Sequence, residues 1–315
     1  MVKKILNAGK NQKIRVNLTF IKKIKVSWIL ITGGSGFVGK KLADCLIKKK
    51  NEVYVLDRFS NETCKSEINF ITGDIRSKDL DLQEYDIIYH LASVLHPISK
   101  DSEESAWDIN VNGTKNILEK LNKNQHIIFS SSSHVYDITK NEKHKEDEKL
   151  KPWNFYGLTK MIGENMVEYY SHINGFSSGI LRFFNIYGTG QVSGNRGYLI
   201  PDIIEKYKTQ KVIDVLNPDG EIDMVFIDDL IELLVVGKGI QGVYNVGYGK
   251  ANKISEVYKI VKKELNANPK EILKQSKGYS LLSDTERIKN ELGWNAKTTL
   301  EEGLKKTIEW HNLKN

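Results

Sequence analysis

The chain has 315 residues, which at roughly 150 residues per domain allows two domains or one large α/β domain. Apolar residues make up 40% and charged residues 28%, ordinary values that exclude wholesale disorder, collagen and coiled coil. Net charge is +7, from lysines spread along the chain, and no run of about 18 apolar residues exists to span a membrane.

The densest basic clusters are Lys22–Lys25 and Lys48–Lys50. No aromatic residues alternate with them and no RNA-binding signature is present, so they read as solvated surface rather than a nucleic-acid patch. Positive potential still favours an anionic substrate. Cys45 and Cys64 are the only cysteines. Their spacing suggests neither a zinc site nor a disulfide framework, so a reducing cytoplasm is the expected compartment and no metal is expected. The basic start has no continuous apolar core, which argues against a signal peptide.

Residues 1–24 fit no clear element. Ile14, Val16, Leu18 and Phe20 alternate as in a strand, and an extension or a start codon placed too early fits equally well. Val26–Thr32 is a short apolar run ended by Gly33 and Gly34, as in a buried parallel strand. A helix is expected after Gly39, where Val38, Leu42, Cys45 and Leu46 recur at helical spacing. Strands follow at Val53–Leu56, Ile68–Thr72 and Ile87–Leu91, a helix from about Glu103 to Leu121, and a fifth strand at Ile127–Ser130. Strands alternating with helices imply βαβ units and a parallel sheet. The charged stretch Lys140–Lys151 reads as a solvated loop ended by Pro152. A strong helix is predicted from Asn154 to about His172, then a strand at Gly179–Phe184. Beyond Gly188 the clustered Gly190, Gly194, Gly197 and Pro201 suggest a loop-rich second lobe.

Thr32-Gly33-Gly34-Ser35-Gly36-Phe37-Val38-Gly39 places three glycines between a strand and a helix. Gly33 permits a tight turn, Gly36 lets backbone approach a pyrophosphate, and Gly39 lets helix and strand pack closely. The phosphates would sit on the helix N-terminus. Asp57 closes the next strand, 18 residues after Gly39, near the distance expected for an acid on a ribose diol. A carboxylate there repels a 2′-phosphate and favours NAD over NADP. The adjacent Arg58 pulls the other way, because a guanidinium pairs with phosphate. Asp74 ends the third strand, where it could accept from an adenine amino group or serve as a plain strand-end cap.

Tyr156 and Lys160 stand four apart and share a helix face. A nearby ammonium favours the phenolate, so the pair can form a general acid/base. Phe129-Ser130-Ser131-Ser132-Ser133 closes the fifth strand at the sheet edge where ligands bind in such folds, and a serine hydroxyl there can hold a substrate oxygen. Serines at a strand end also serve as turn formers.

Taken in order, TGGSGFVG, GDIR, HLAS, NVNGT, FSSSSHVY, YGLTK, LRFFNIYG, FIDDL, YNVGYG and ELGW with the closing EEGLKKTIEW resemble the NAD-dependent epimerase/dehydratase family of extended short-chain dehydrogenases/reductases, in particular the UDP-glucose/galactose-type 4-epimerases. The resemblance runs from about Val26 to Trp310. It implies a Rossmann-type doubly wound parallel sheet with a smaller C-terminal substrate-binding lobe. Residues 1–24 would be an extension, 25–188 the NAD-binding domain, and 189–315 mainly the substrate lobe with parts returning to the first domain. Tyr156 would be the acid/base, Lys160 its partner on the nicotinamide ribose, and Ser132 the substrate-contacting serine, with Ser131 and Ser133 as fallbacks. Leu91, Ala92 and Ser93 would line the cofactor and Phe184 would lie by the nicotinamide. Phe37, Val38, Ile75, Asn110 and Ser130 join the cofactor set. Ser93, Ser133 and Asn185 join Ser132 on the substrate.

The implied chemistry is transient oxidation of a sugar hydroxyl on a sugar nucleotide. A keto-sugar reductase, a dehydratase, or a non-catalytic dinucleotide sensor or RNA-associated protein of the same fold are the competing readings. Homodimers are common in the family, and Leu158, Ile162 and Met166 stripe the YxxxK helix, which core packing explains equally well. Two departures stand out. Ser133 and His134 occupy places where many dehydratases carry acids, which favours epimerase, and His134 is read as a satisfied structural histidine or an acid/base. Ile222 stands where many sugar-nucleotide members have a diphosphate-binding arginine, a role open to Arg196 or a lysine, or absent if the substrate lacks a diphosphate.

Overall fold

The computed structural model describes residues 27–59, 68–96, 102–139, 142–194, 198–275 and 280–313. The expected extension, Cys64 and Arg196 lie outside them. Seven parallel strands form the central sheet: β1 (Trp28–Thr32), β2 (Glu52–Asp57), β3 (Asn69–Thr72), β4 (Ile87–His90), β5 (His126–Ser132), β6 (Ser177–Phe183) and β7 (Gly242–Val246). Their spatial order is β7-β6-β5-β4-β1-β2-β3. Ile31 of β1 stands opposite Val55 of β2 on one side and Tyr89 of β4 on the other. The strand order therefore reverses at β1, and the crevice beyond β1 and β4 is the ligand position that this topology creates. Every residue of β4 and β5 is buried, as expected for strands covered on both faces.

The helices that matter for the site are α1 (Phe37–Lys48), α2 (Glu103–Trp107), α3 (Thr114–Glu119) and α4 (Phe155–Asn174). A π turn at Asp108–Gly113 joins α2 to α3. The single helix expected from Glu103 to Leu121 is thus interrupted. The Asn154 side chain caps α4 by accepting from Gly157 N–H at 2.7 Å, and Gly175 ends it in the left-handed region at φ 75°, the usual start and stop chemistry.

Beyond Gly188 the chain is more regular than its glycines suggest. It forms the helices Leu199–Thr209, Ile227–Leu234, Ile254–Leu265 and Leu300–Leu313. Val212–Leu216 pairs in parallel with Lys270–Lys274, and Asn185–Tyr187 with Met224–Phe226. Apolar residues recurring at helical spacing and buried on one face, such as Ile200, Ile203, Ile204 and Tyr207, outweigh the flanking breakers. The expected solvated loop is also corrected. Lys143–His144 pairs with Leu282–Ser283, and His144 and Glu146 are buried. The Tyr136 ring stacks on His144 at 4.6 Å, and Glu146 accepts from the Asn245 N–H at 2.8 Å. Partners far away in sequence make burial of these polar groups affordable.

Candidate active site

A cavity of about 890 Å³ lies at the carboxyl ends of the sheet strands. At one end β1 runs into Gly33, whose φ is +68°. A β-carbon there would lie 2.7 Å from the backbone of Ala92, so glycine alone lets the turn meet the loop after β4. A β-carbon on Gly39 would lie 2.6 Å from Gly34 Cα, which explains the close seat of α1. Gly36 begins α1 without a side-chain cap, leaving first-turn N–H groups for an anion. Gly33, Gly36, Phe37, Val38 and Gly39 all border the cavity.

Asp57, at the end of β2, accepts from Ser35 N–H at 3.0 Å and from Arg58 N–H at 2.8 Å. It borders the cavity beside Arg58, whose guanidinium lies 5.5 Å over the Phe59 ring. Asp74 and Ile75 border the cavity too. Arg76 grips both oxygens of Asp74, and its hydrogen bonds hold that carboxyl down to about 2. Glycine turn, uncapped helix and carboxylate together fit a dinucleotide: backbone for its phosphates, Asp57 for a ribose diol.

Leu91, Ala92 and Ser93 line the next stretch. Below them His90 is wholly buried between Thr32 Oγ1, 2.8 Å from Nδ1, and Thr114 Oγ1, 2.9 Å from Nε2. Burial lowers its pKa to about 3. Asn110, expected among the cofactor residues, does not border the cavity. Placed in the π turn, its Oδ1 accepts from Val94 N–H and Ser93 Oγ. Its Nδ2 donates to Val94 O and Thr159 Oγ1. It clamps the Ser93 loop to α4.

The serine cluster divides by role. Ser130, Ser131 and Ser132 border the cavity, and Ser133 does not. Ser130 Oγ donates to His90 O at 2.9 Å. Ser131 Oγ donates to Glu164. Ser132 and Ser93 border the cavity with Tyr156, and their hydroxyls favour its phenolate. Lys160 sits beneath, its ammonium 5.8 Å from the centre of the Tyr156 ring and donating to Ser130 O at 2.7 Å. The expected lowering of the phenol pKa by Lys160 is not what the chain alone provides. Burial pushes Tyr156 up to about 12, with the Ser132 and Ser93 hydroxyls opposing. Burial also brings Lys160 down to about 7, with Glu164 opposing. Desolvation exceeds the charge attraction at this depth.

Phe184 and Asn185 border the far part of the cavity. Asn185 Nδ2 donates to Asp223 O at 3.0 Å. Ile222, the residue in place of the expected arginine, borders it with Glu221 and Asn217. Tyr198, Gln191 and His96 also border it. They escaped the sequence reading because they come from irregular segments with no periodic or motif signal.

The sequence profile of the NAD-dependent epimerase/dehydratase family matches residues 29–247. A Methanocaldococcus jannaschii protein described as "Putative UDP-glucose 4-epimerase" is 30% identical over 300 residues, covering 90% of this chain and 97% of its own length. The Escherichia coli dTDP-4-dehydro-6-deoxyglucose reductase is 26% identical, covering 90% of this chain and 96% of its own. Among solved structures, the UDP-glucuronic acid 4-epimerase of Bacillus cereus, in complex with UDP-glucuronic acid and NAD, superposes with a TM-score of 0.82 at 25% identity, covering 91% of this chain and all of the other. Fold, glycine cradle and family profile agree: the chain belongs to the NAD-dependent epimerase/dehydratase family.

Proposed function

We propose that this chain is a sugar-nucleotide epimerase that uses NAD to oxidise a sugar hydroxyl transiently and to reduce the ketone from its other face. The observation that carries this reading is Tyr156, buried in the same cavity as the glycine cradle, with Ser132 on the cavity wall and the Lys160 ammonium 5.8 Å from its ring centre. Bound NAD supplies reversible hydride exchange. Ser132 holds the sugar oxygen, and Tyr156 Oη, as the phenolate that the Lys160 cation beneath it favours, takes the hydroxyl proton as the ketone forms and returns it afterwards. Gly33, Gly36 and Gly39 seat the cofactor's phosphates and Asp57 its ribose, while Ser93, Asn185 and the 189–315 region face the sugar nucleotide. The lack of an acid at Ser133 and His134 separates this site from one built for elimination. We place the enzyme in the cytoplasm as a homodimer, through the half-exposed face of α4 carrying Leu158 and Ile162.

Denaturing the purified protein and quantifying released NAD and NADP by chromatography tests the reading. Near-stoichiometric NAD followed by turnover of a UDP-, dTDP-, GDP- or CDP-sugar supports it. An empty protein that binds NADPH and consumes it with a keto sugar replaces it with the reductase. Binding of neither nucleotide overturns both.

A further inference from the structure

His134 borders the cavity, and its ring meets Tyr156 edge-on at 5.5 Å. Trp153 and His96 pack against it at 5.1 and 5.4 Å. Its state follows from the helix cap next to it. The Oδ1 of Asn154 accepts from Gly157 N–H, which fixes the amide so that Nδ2 is the end facing His134. That Nδ2 lies 2.9 Å from His134 Nδ1. An amide N–H donates only, so Nδ1 must be the acceptor and the neutral ring carries its proton on Nε2. The backbone of His134 is fixed as well, because its N–H donates to Ser132 Oγ at 3.2 Å. Burial, with His96 adding to it, lowers its pKa to about 4, consistent with a neutral ring.

We propose that His134 is a specificity residue whose Nε2–H, fixed in that tautomer by the cap residue of the catalytic helix, donates a hydrogen bond to an oxygen of the sugar. The proposal deepens the epimerase reading and rests on it for the identity of the ligand. The same geometry removes His134 as a base. Its one lone pair is engaged by Asn154, and Nε2 holds a proton rather than accepting one. A dehydratase must take a proton from the carbon next to the ketone, and this histidine has no site to receive it. One side chain thereby links the cap of α4, the orientation of Tyr156 and the choice of reaction.

The test uses the full chain labelled with nitrogen-15 in histidine, its His134 signal assigned by loss in His134→Gln. Wild-type protein at pH 7 should show the Nε2–H tautomer. Asn154→Asp keeps the cap acceptor but offers His134 an acceptor in place of a donor, so the proton should move to Nδ1 or the ring should become charged. An Nδ1–H or charged ring in the wild type overturns the proposal, whether or not any sugar nucleotide is turned over. In the NAD-loaded enzyme, His134→Phe should raise KM for the sugar nucleotide at least tenfold with NAD content unchanged. His134→Gln, which still donates, should recover most of that loss. Equal KM values for His134→Phe and wild type overturn the donor role, as does a dehydrated product that disappears in His134→Gln. A wild type that carries NAD yet turns over no sugar nucleotide defeats the epimerase reading alone.

Discussion

Gly157 faces the carbonyl oxygen of His134 so closely that a β-carbon on Gly157 would overlap it. The first turn of the catalytic helix is therefore seated directly on the end of the serine strand, with Tyr156 beside the contact. In an open helix, Gly→Ala stabilises by roughly 0.5–1 kcal/mol. Here the overlap with backbone costs roughly 1–3 kcal/mol, and the steric cost wins. Gly157→Ala should lower stability in urea denaturation and also lower turnover, because relief of the overlap moves Tyr156 away from Ser132. A variant as stable as the parent would show that the contact is loose.

Tyr156→Phe should keep the fold and the bound NAD and lose roughly 10²–10⁴-fold in kcat, the range that one positioned acid/base supplies. Ser132→Ala should lose less, since Tyr156 still moves the proton and Ser93 still lines the cavity. Near-normal turnover by Tyr156→Phe would rule out the proton-transfer role.

Asp57→Ala should relax the preference for NAD over NADP, because the carboxylate that repels a 2′-phosphate is gone while Arg58 remains. Asp57 also receives the Ser35 N–H, so the glycine turn should loosen and NAD affinity should fall alongside. Binding titrations with both nucleotides check this. An unchanged ratio would remove Asp57 from the ribose site.

Much of this site was legible because its parts are local. The glycine turn, the strand-ending Asp57 and the Tyr156–Lys160 pair are fixed by spacing within one turn or one helix. The parts that misled depend on partners distant in sequence. Glu146 looks like one acid in a charged loop until Arg182 and Asn245 reach it from strands β6 and β7. Asn110 and Ser133 sit in ligand-like strings, but a π turn and a strand end direct them into the protein. No periodicity reports such turns. His134 was ambiguous from sequence for the same reason. Its role depends on which end of the Asn154 amide faces it, and the cap at Gly157 determines that.

Three histidines, His90, His126 and His134, have pKa values lowered chiefly by desolvation to about 3, 4 and 4. In the unfolded chain each titrates near 6.5. Below pH 6.5 the unfolded state therefore binds more protons, and stability falls as pH drops towards 4, by up to about 1.4 kcal/mol per pH unit for each group. Urea midpoints at pH 7, 6 and 5 should decline in that order. His134→Gln should show a shallower decline, since one of the three titrations is removed. A parallel decline in the variant would mean that His134 is protonated equally in both states.

Glu164 and Arg182 form an ion pair at 2.7 Å with both side chains almost fully buried. Arg182 also donates to Tyr136 OH at 2.8 Å and to Glu146 O at 2.9 Å, and Ser131 donates to Glu164. The pair lies directly behind the serine strand and one helical turn from Lys160. Removing either partner leaves an uncompensated buried charge, so Arg182→Met should cost about 3–5 kcal/mol. Replacing both charges removes two desolvation penalties together, so Glu164→Leu with Arg182→Met should be clearly more stable than Arg182→Met alone. The double variant also removes the carboxylate that holds up the pKa of Lys160, which should fall. Restored stability together with impaired turnover would therefore locate the pair's contribution in tuning Lys160. Restored stability with normal turnover would confine it to packing.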